Sequence, residues 1–214
     1  LATTFQYLGL ATNEVAHRQR ALELSETLFG SGSPEVLTDR MNLAWALRNS
    51  GRTNEYLTQF EAAWLTASNA IGGADARTLS AMGWLGVAYR EVGRRADSIR
   101  VLESCAQICR QAFGDDDLRT LNAVNHLAWS FYLTGQPEHA VPLLEQVMTG
   151  RQRALGREHE DSTRAMIDLG RAYLALGRER EAFTLLEEAY EIRRQAQGSQ
   201  HHATLIAIDA LARA

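Results

Sequence analysis

Apolar residues recur along the chain at three- and four-residue spacing, and no stretch shows strict apolar/polar alternation. The clearest run extends from Pro34 to Ser50, where Val36, Leu37, Leu43 and Leu47 share one side of a helix and Gly51 follows. A second run from Thr53 to Ile71 meets Gly72. Glycine just past a helix end can take the left-handed conformation that closes the last turn, so both glycines read as stops. Starts are marked too. Ser33-Pro34 offers a capping hydroxyl and then a proline at the first helical position, where its missing N–H costs nothing. Pro137 follows Gly135 in the same way, and Pro142 falls near the first turn of its helix. Arg151, Arg153, Arg193 and Arg194 crowd the ends of later helices, which suits the negative end of a helix dipole. The pattern predicts an all-α chain.

The helix pairs repeat. Gly30, Gly72, Gly114, Gly156 and Gly198 fall at intervals of 42, as do Gly9, Gly51, Gly93, Gly135 and Gly177. Leu1, Leu43, Leu85, Leu127 and Leu169 keep that period, each followed by alanine or glycine (Ala2, Ala44, Gly86, Ala128, Gly170). Four positions beyond each leucine stand Phe5, Leu47, Tyr89, Phe131 and Tyr173. A pair of helices this size cannot hide its apolar face alone, so stacked neighbours must do it. The expected seam joins the leucine ladder to Ala21, Ala63, Cys105, Val147 and Ala189 on the second helices. The expected organisation is one array over 1–214: a partial repeat at 1–30, full repeats at 31–72, 73–114, 115–156 and 157–198, and a partial repeat at 199–214. Leu1 holds the register of Leu43 and Ala214 that of Ala46, so the sequence reads as a segment of a longer polypeptide.

Leucine, a small residue and an aromatic in the first helix, then a glycine and a small residue in the second, resemble the tetratricopeptide repeat. The 42-residue form is similar to the kinesin light chain repeat. The stretches that carry the likeness are Ser33-Pro34-Glu35-Val36-Leu37, Arg77-Thr78-Leu79, Arg119-Thr120-Leu121, Ala203-Thr204-Leu205, Met41-Asn42-Leu43-Ala44, Asn125-His126-Leu127-Ala128 and His139-Ala140-Val141-Pro142-Leu143. The family's paired asparagines are reduced to Asn42 and Asn125, with Gly83-Trp84 and Ile167-Asp168 in the other repeats. The resemblance implies a right-handed superhelical solenoid of antiparallel helix pairs, four full repeats with a partial one at each end. It also implies a non-catalytic scaffold that binds a protein or peptide. Such repeats commonly form the sensor arm of bacterial multidomain signal-transduction ATPases of the NB-ARC/STAND type.

In these arrays the first helices line a concave groove. Carrying their non-seam positions onto this chain gives Asn42, Trp45, Arg48 and Asn49, then Ser80, Trp84, Val87 and Arg90. Asn122, Asn125, His126, Trp129 and Tyr132 follow, and Arg164, Asp168 and Arg171 complete the set. Tryptophan and arginine are enriched in binding hot spots, so the expected partner is a segment with an apolar anchor and carboxylates for the arginines. Against this stands the reading that the tryptophans simply pack between adjacent helices. A different class of function, self-assembly through open array ends, is the alternative.

Composition narrows the rest. At 45% hydrophobic and 22% charged the chain can build a core, and disorder is excluded. No apolar run approaches the roughly 20 residues that span a bilayer, and no targeting segment is visible at Leu1. All 22 basic residues are arginine, which rules out a lysine Schiff base and a Walker A loop. A net charge of −4 lacks the footprint of a nucleic-acid binder. Cys105 and Cys109 read as packing thiols in a reducing, cytoplasmic setting. His159, His201 and His202 read as turn or capping residues, and Asp115-Asp116-Asp117 as a helix start rather than a cation site. No catalytic motif is present, and neither a metal nor a cofactor is expected.

Overall fold

The computed structural model describes residues 2–197, with side chains from residue 13 onward. Helices α1 (Ala2–Phe29), α2 (Pro34–Asn49), α3 (Thr53–Ile71), α4 (Ala76–Glu91), α5 (Arg95–Phe113), α6 (Leu118–Leu133), α7 (Pro137–Leu155), α8 (Glu160–Ala175) and α9 (Glu179–Gln197) follow one another, and no strand occurs among the described residues. From α2 onward, helices of 16 and 19 residues alternate, which is the predicted pairing. The chain divides into two compact units, Leu1–Ile108 and Cys109–Ala214, with the boundary inside α5.

Helix starts recur in one slot of the repeat. Ser33, Asp75, Asp117 and His159 are the N-caps of α2, α4, α6 and α8. Their side chains accept from Val36 N at 3.2 Å, Arg77 N at 2.9 Å, Arg119 N at 2.8 Å and Asp161 N at 3.1 Å. Three residue types thus satisfy an orphan donor of the first turn, the third N–H for Ser33 and the second for Asp75, Asp117 and His159. The Asp117 carboxyl is held down at about 2, first by the Arg119 guanidinium that folds back onto it. This assigns part of the aspartate run, and His159, to capping. His201, His202 and the expected partial repeat at 199–214 lie outside the described residues.

The turn after each first helix is equally regular. At Gly51 (φ 76°) the N–H bonds to Arg48 O at 3.0 Å, while Arg52 N–H reaches Leu47 O at 2.9 Å. Gly93, Gly135 and Gly177 close α4, α6 and α8 with the same bond pair. A Cβ would strain this conformation, which is why the glycine ladder is so strict. Gly9 differs: it belongs to the ladder, yet α1 runs straight through it. Glycine permits a turn without enforcing one.

From Leu43 onward the seam forms as expected; Leu1 and the side chains of Ala2 and Phe5 lie outside the described part. Leu43 and Leu85 are buried in the first unit, Leu127 and Leu169 in the second, and so are Ala44, Gly86, Ala128 and Gly170 beside them. The small residue has a steric cause. A Cβ on Gly86 would lie 2.4 Å from Leu102 Cγ, and one on Gly170 would lie 2.7 Å from Leu186. Ala63, Cys105, Val147 and Ala189 are buried and Ala21 is half-buried. Cys105 donates to the Leu79 carbonyl at 3.3 Å, consistent with a packing thiol, and Cys109 is buried as well.

Part of the aromatic ladder clamps neighbouring repeats. Tyr89 donates to Glu61 Oε1 at 2.9 Å in the first unit, and Tyr173 to Glu145 Oε1 at 2.8 Å in the second. Arg94 and Arg178 sit over the two rings at 4.2 and 4.0 Å. Phe131, without a hydroxyl, stacks on His139 at 5.3 Å instead.

Candidate functional site

In the first unit the expected face is carried by α2 and α4. The Trp45 and Trp84 rings meet edge to face, 4.4 Å apart at 82°, and Trp45 meets Phe60 of α3 at 5.7 Å. Both indoles are half-buried, so each packs between helices and still reaches the surface. Arg48 is held at the Trp45 ring, 5.6 Å from its centroid, by two hydrogen bonds to Glu91 of 2.8 and 2.7 Å. Tyr56 donates to Glu91 Oε2 at 2.9 Å. Burial pushes the Glu91 carboxyl up, but Arg48 and Tyr56 outweigh it and hold it below the ordinary glutamate value. These residues and Thr53 line an open cleft of about 400 Å³.

The other expected residues of this unit divide. Asn49 and Ser80 are exposed and Asn42 is half-buried. Val87, only 7% exposed, belongs to the packed interior. Arg90 is half-buried, and its Nη1 is buried without a hydrogen-bond partner. Desolvation pushes its pKa down, against the pull of Glu91.

In the second unit the face belongs to α6 and α8. The Trp129 indole N–H donates to Asp168 Oδ2 at 3.0 Å, and the Trp129 and Tyr132 rings stand perpendicular at 5.2 Å. Asp168 is 6% exposed. Burial pushes its carboxyl up, against the Trp129 hydrogen bond and the charges of Arg171, Arg151 and Arg164. Asp168 therefore holds a neighbour rather than facing solvent. Arg164 is exposed and paired to Glu160 at 2.9 Å, and exposed Asn122 accepts from Arg151 at 2.7 Å. His126 and Asn125 are half-buried, and Asn125 Oδ1 has no partner. Arg171 is half-buried and makes neither a hydrogen bond nor an ion pair among the described residues.

Several participants were not on the sequence-derived face. Glu91 stands in the repeat slot of Asn49, so extending that slot by one repeat would have found it. Tyr56 comes from a second helix, where the first-helix register gives no signal. Arg151 and Arg193 are buried, the latter donating to Thr163 Oγ1 at 2.9 Å. Their place near a helix end suggested dipole compensation, whereas their guanidinium groups reach across to neighbouring helices. Trp64, the fourth tryptophan, packs from α3 against the core of the first unit, as Trp45 and Trp84 also do.

Against known proteins, the tetratricopeptide repeat family profile matches residues 77–153 and 140–195, together more than half of the chain. The chain belongs to the tetratricopeptide repeat family. Among solved structures, this tetratricopeptide protein is similar to nearly identical TPR-like repeats from Podosopora anserina designated as kinesin light chain. The identity there is 25%, the match covers 92% of this chain and 93% of that one, and the TM-score is 0.74. BtubC (BKLC) from P. vanneervenii matches at 14% identity over 92% and 93% of the two chains, with a TM-score of 0.70. A Rap protein complexed with competence and sporulation factor matches at 14% identity over 99% of this chain and 60% of that one, with a TM-score of 0.62. The last two show a shared fold. No curated protein matches the chain. The fold class is therefore the all-helical tetratricopeptide repeat, a scaffold typical of protein–protein interaction modules. No described helix is long and apolar enough to cross a membrane, and no group of His, Cys, Asp and Glu among the described residues could hold a metal ion.

Proposed function

We propose that the chain is a non-catalytic recognition module that holds a protein or peptide segment against its first helices. The observation that carries this reading is the placement of Trp45, Trp84 and Trp129. All three stand outside the leucine ladder and are half-buried; Trp45 and Trp84 pack on the core of the first unit, and Arg48 lies 5.6 Å from the Trp45 ring centroid. A solvated indole edge next to a cation offers apolar area and charge together, the combination that dominates binding hot spots. Each unit supplies its own stretch of this face. The partner we infer has an apolar anchor and carboxylates, as the arginine-only cationic complement favours. The wider setting we propose is a sensor or adaptor region of a larger bacterial signalling protein in the cytoplasm, supported by the likeness of its 42-residue repeats to those of sensor arms.

The test is capture of a partner from the source cell by the intact protein, followed by hydrogen exchange of the complex. Protection concentrated on α2, α4, α6 and α8 is the expected result, and protection confined to second helices would exclude the reading. Self-assembly is the second reading, favoured by Leu28 and Phe29 at 72% and 56% exposure. A mass by light scattering that rises with concentration would support it.

A further inference from the structure

Trp45 and Trp129 occupy the same slot, two repeats apart, and each meets the residue 39 positions further on. For Trp45 that residue is Trp84, and the Trp45 N–H makes no hydrogen bond among the described residues. For Trp129 it is Asp168, which takes the indole's one donor. We propose that Asp168 is a positioning residue: it fixes the Trp129 ring at right angles to Tyr132, making this part of the face a seat for an apolar side chain whose neighbouring carboxylate meets Arg171.

The geometry gives each part of this a cause. A buried carboxylate that loses its donor is costly, so the Trp129–Asp168 bond holds the ring in one rotamer. With its N–H committed, Trp129 has only ring surface left to offer, which selects an apolar group over a hydrogen-bond acceptor. Three arginines act on the Asp168 carboxylate. Arg164 is held by Glu160 and Arg151 by Asn122, which leaves Arg171, one turn along α8, as the cation without a hydrogen-bonded partner. This rests on the first-helix face being the binding surface, and the two can fail separately.

The experiment follows the indole N–H signals of the ¹⁵N-labelled full chain, with Trp129→Phe assigning its own signal. Asp168→Asn keeps an acceptor and Asp168→Leu removes it. The Trp129 N–H is expected to exchange with water about tenfold faster in Asp168→Leu and at nearly the native rate in Asp168→Asn. Acetyl-Leu-Glu-amide is expected to shift that signal with about threefold or greater affinity over acetyl-Leu-Gln-amide, a difference that Arg171→Gln abolishes. If Asp168→Leu does not fold, Asp168→Asn and Arg171→Gln carry the test. Native-like exchange in Asp168→Leu, or faster exchange in a folded Asp168→Asn, overturns the positioning role. If the exchange result holds while neither probe binds, or both bind equally, the seat is overturned and the positioning stands.

Discussion

In the first unit Trp45 reaches across to the next first helix and meets the edge of Trp84 at 4.4 Å; in the second, Trp129 makes the same reach and finds the carboxylate of Asp168 at 3.0 Å. The slot three positions on differs as well. Arg48 is locked to Glu91, while its counterpart Tyr132 packs on Trp129. Beneath these faces nothing comparable changes. Leucine, its small neighbour, the caps and the tyrosine clamps recur in both units. The contrast teaches where a repeat can vary. A seam position is fixed from both sides by close packing, so a changed volume is felt at once. A face position answers mainly to its neighbour on the next first helix, so an aromatic pair in one unit and a buried ion–indole bond in the other stand on the same frame.

If the seam is common to both units, Leu85→Ala and Leu169→Ala, each beside a buried glycine, should each cost about 2–5 kcal/mol in denaturant melts. Costs that differ by several kcal/mol between the two would break the equivalence. Identical changes on the face should diverge. Trp129→Phe leaves the buried Asp168 without its donor and should cost about 1–3 kcal/mol. Trp45→Phe keeps the edge-to-face contact with Trp84 and should cost less, about 1 kcal/mol. Equal losses would contradict the different roles assigned to the two indoles.

Acid should act on the two faces in opposite directions. The Glu91 carboxyl lies below its ordinary value of 4.5, so its contribution is present above that pH and is lost as pH falls through the folded value. Asp168 lies above its ordinary 3.8, so the folded state binds its proton more readily than the unfolded one does. Its burial cost therefore grows as pH rises from 3.8 through the folded value. Stability followed from pH 7 downward should lose a favourable term in Glu91 and shed an unfavourable one in Asp168. Removing the carboxylates one at a time, with Glu91→Gln and Asp168→Asn, should change the slope of the native protein in opposite directions. Changes in slope of the same sign would refute the assignment.

The period made most of the fold legible. A 42-residue ladder of glycines and leucines fixes helix ends and seam together, because each such position answers to a constraint in every repeat. Gly9 shows the limit: a ladder member marks where a turn is permitted, and a helix can still run through it. The face was legible as a register and obscure in its chemistry. Val87 and Asp168 occupy non-seam positions in the register but are buried in the structure. That depends on what stands 39 or 43 residues away, as the Trp129–Asp168 and Arg48–Glu91 pairs show. Tyr56, Arg151 and Arg193 reach the faces from second helices, where periodicity reports packing and says nothing of a long side chain's far end.

The most direct test of the proposed binding face measures partner capture by three variants of equal helicity and melting temperature. Trp45→Ala and Trp129→Ala alter the first-helix faces of the two units, and Trp64→Ala alters an indole of a second helix. Loss of capture in the first two with retention in the third is the predicted result. Full retention in Trp45→Ala and Trp129→Ala would contradict it.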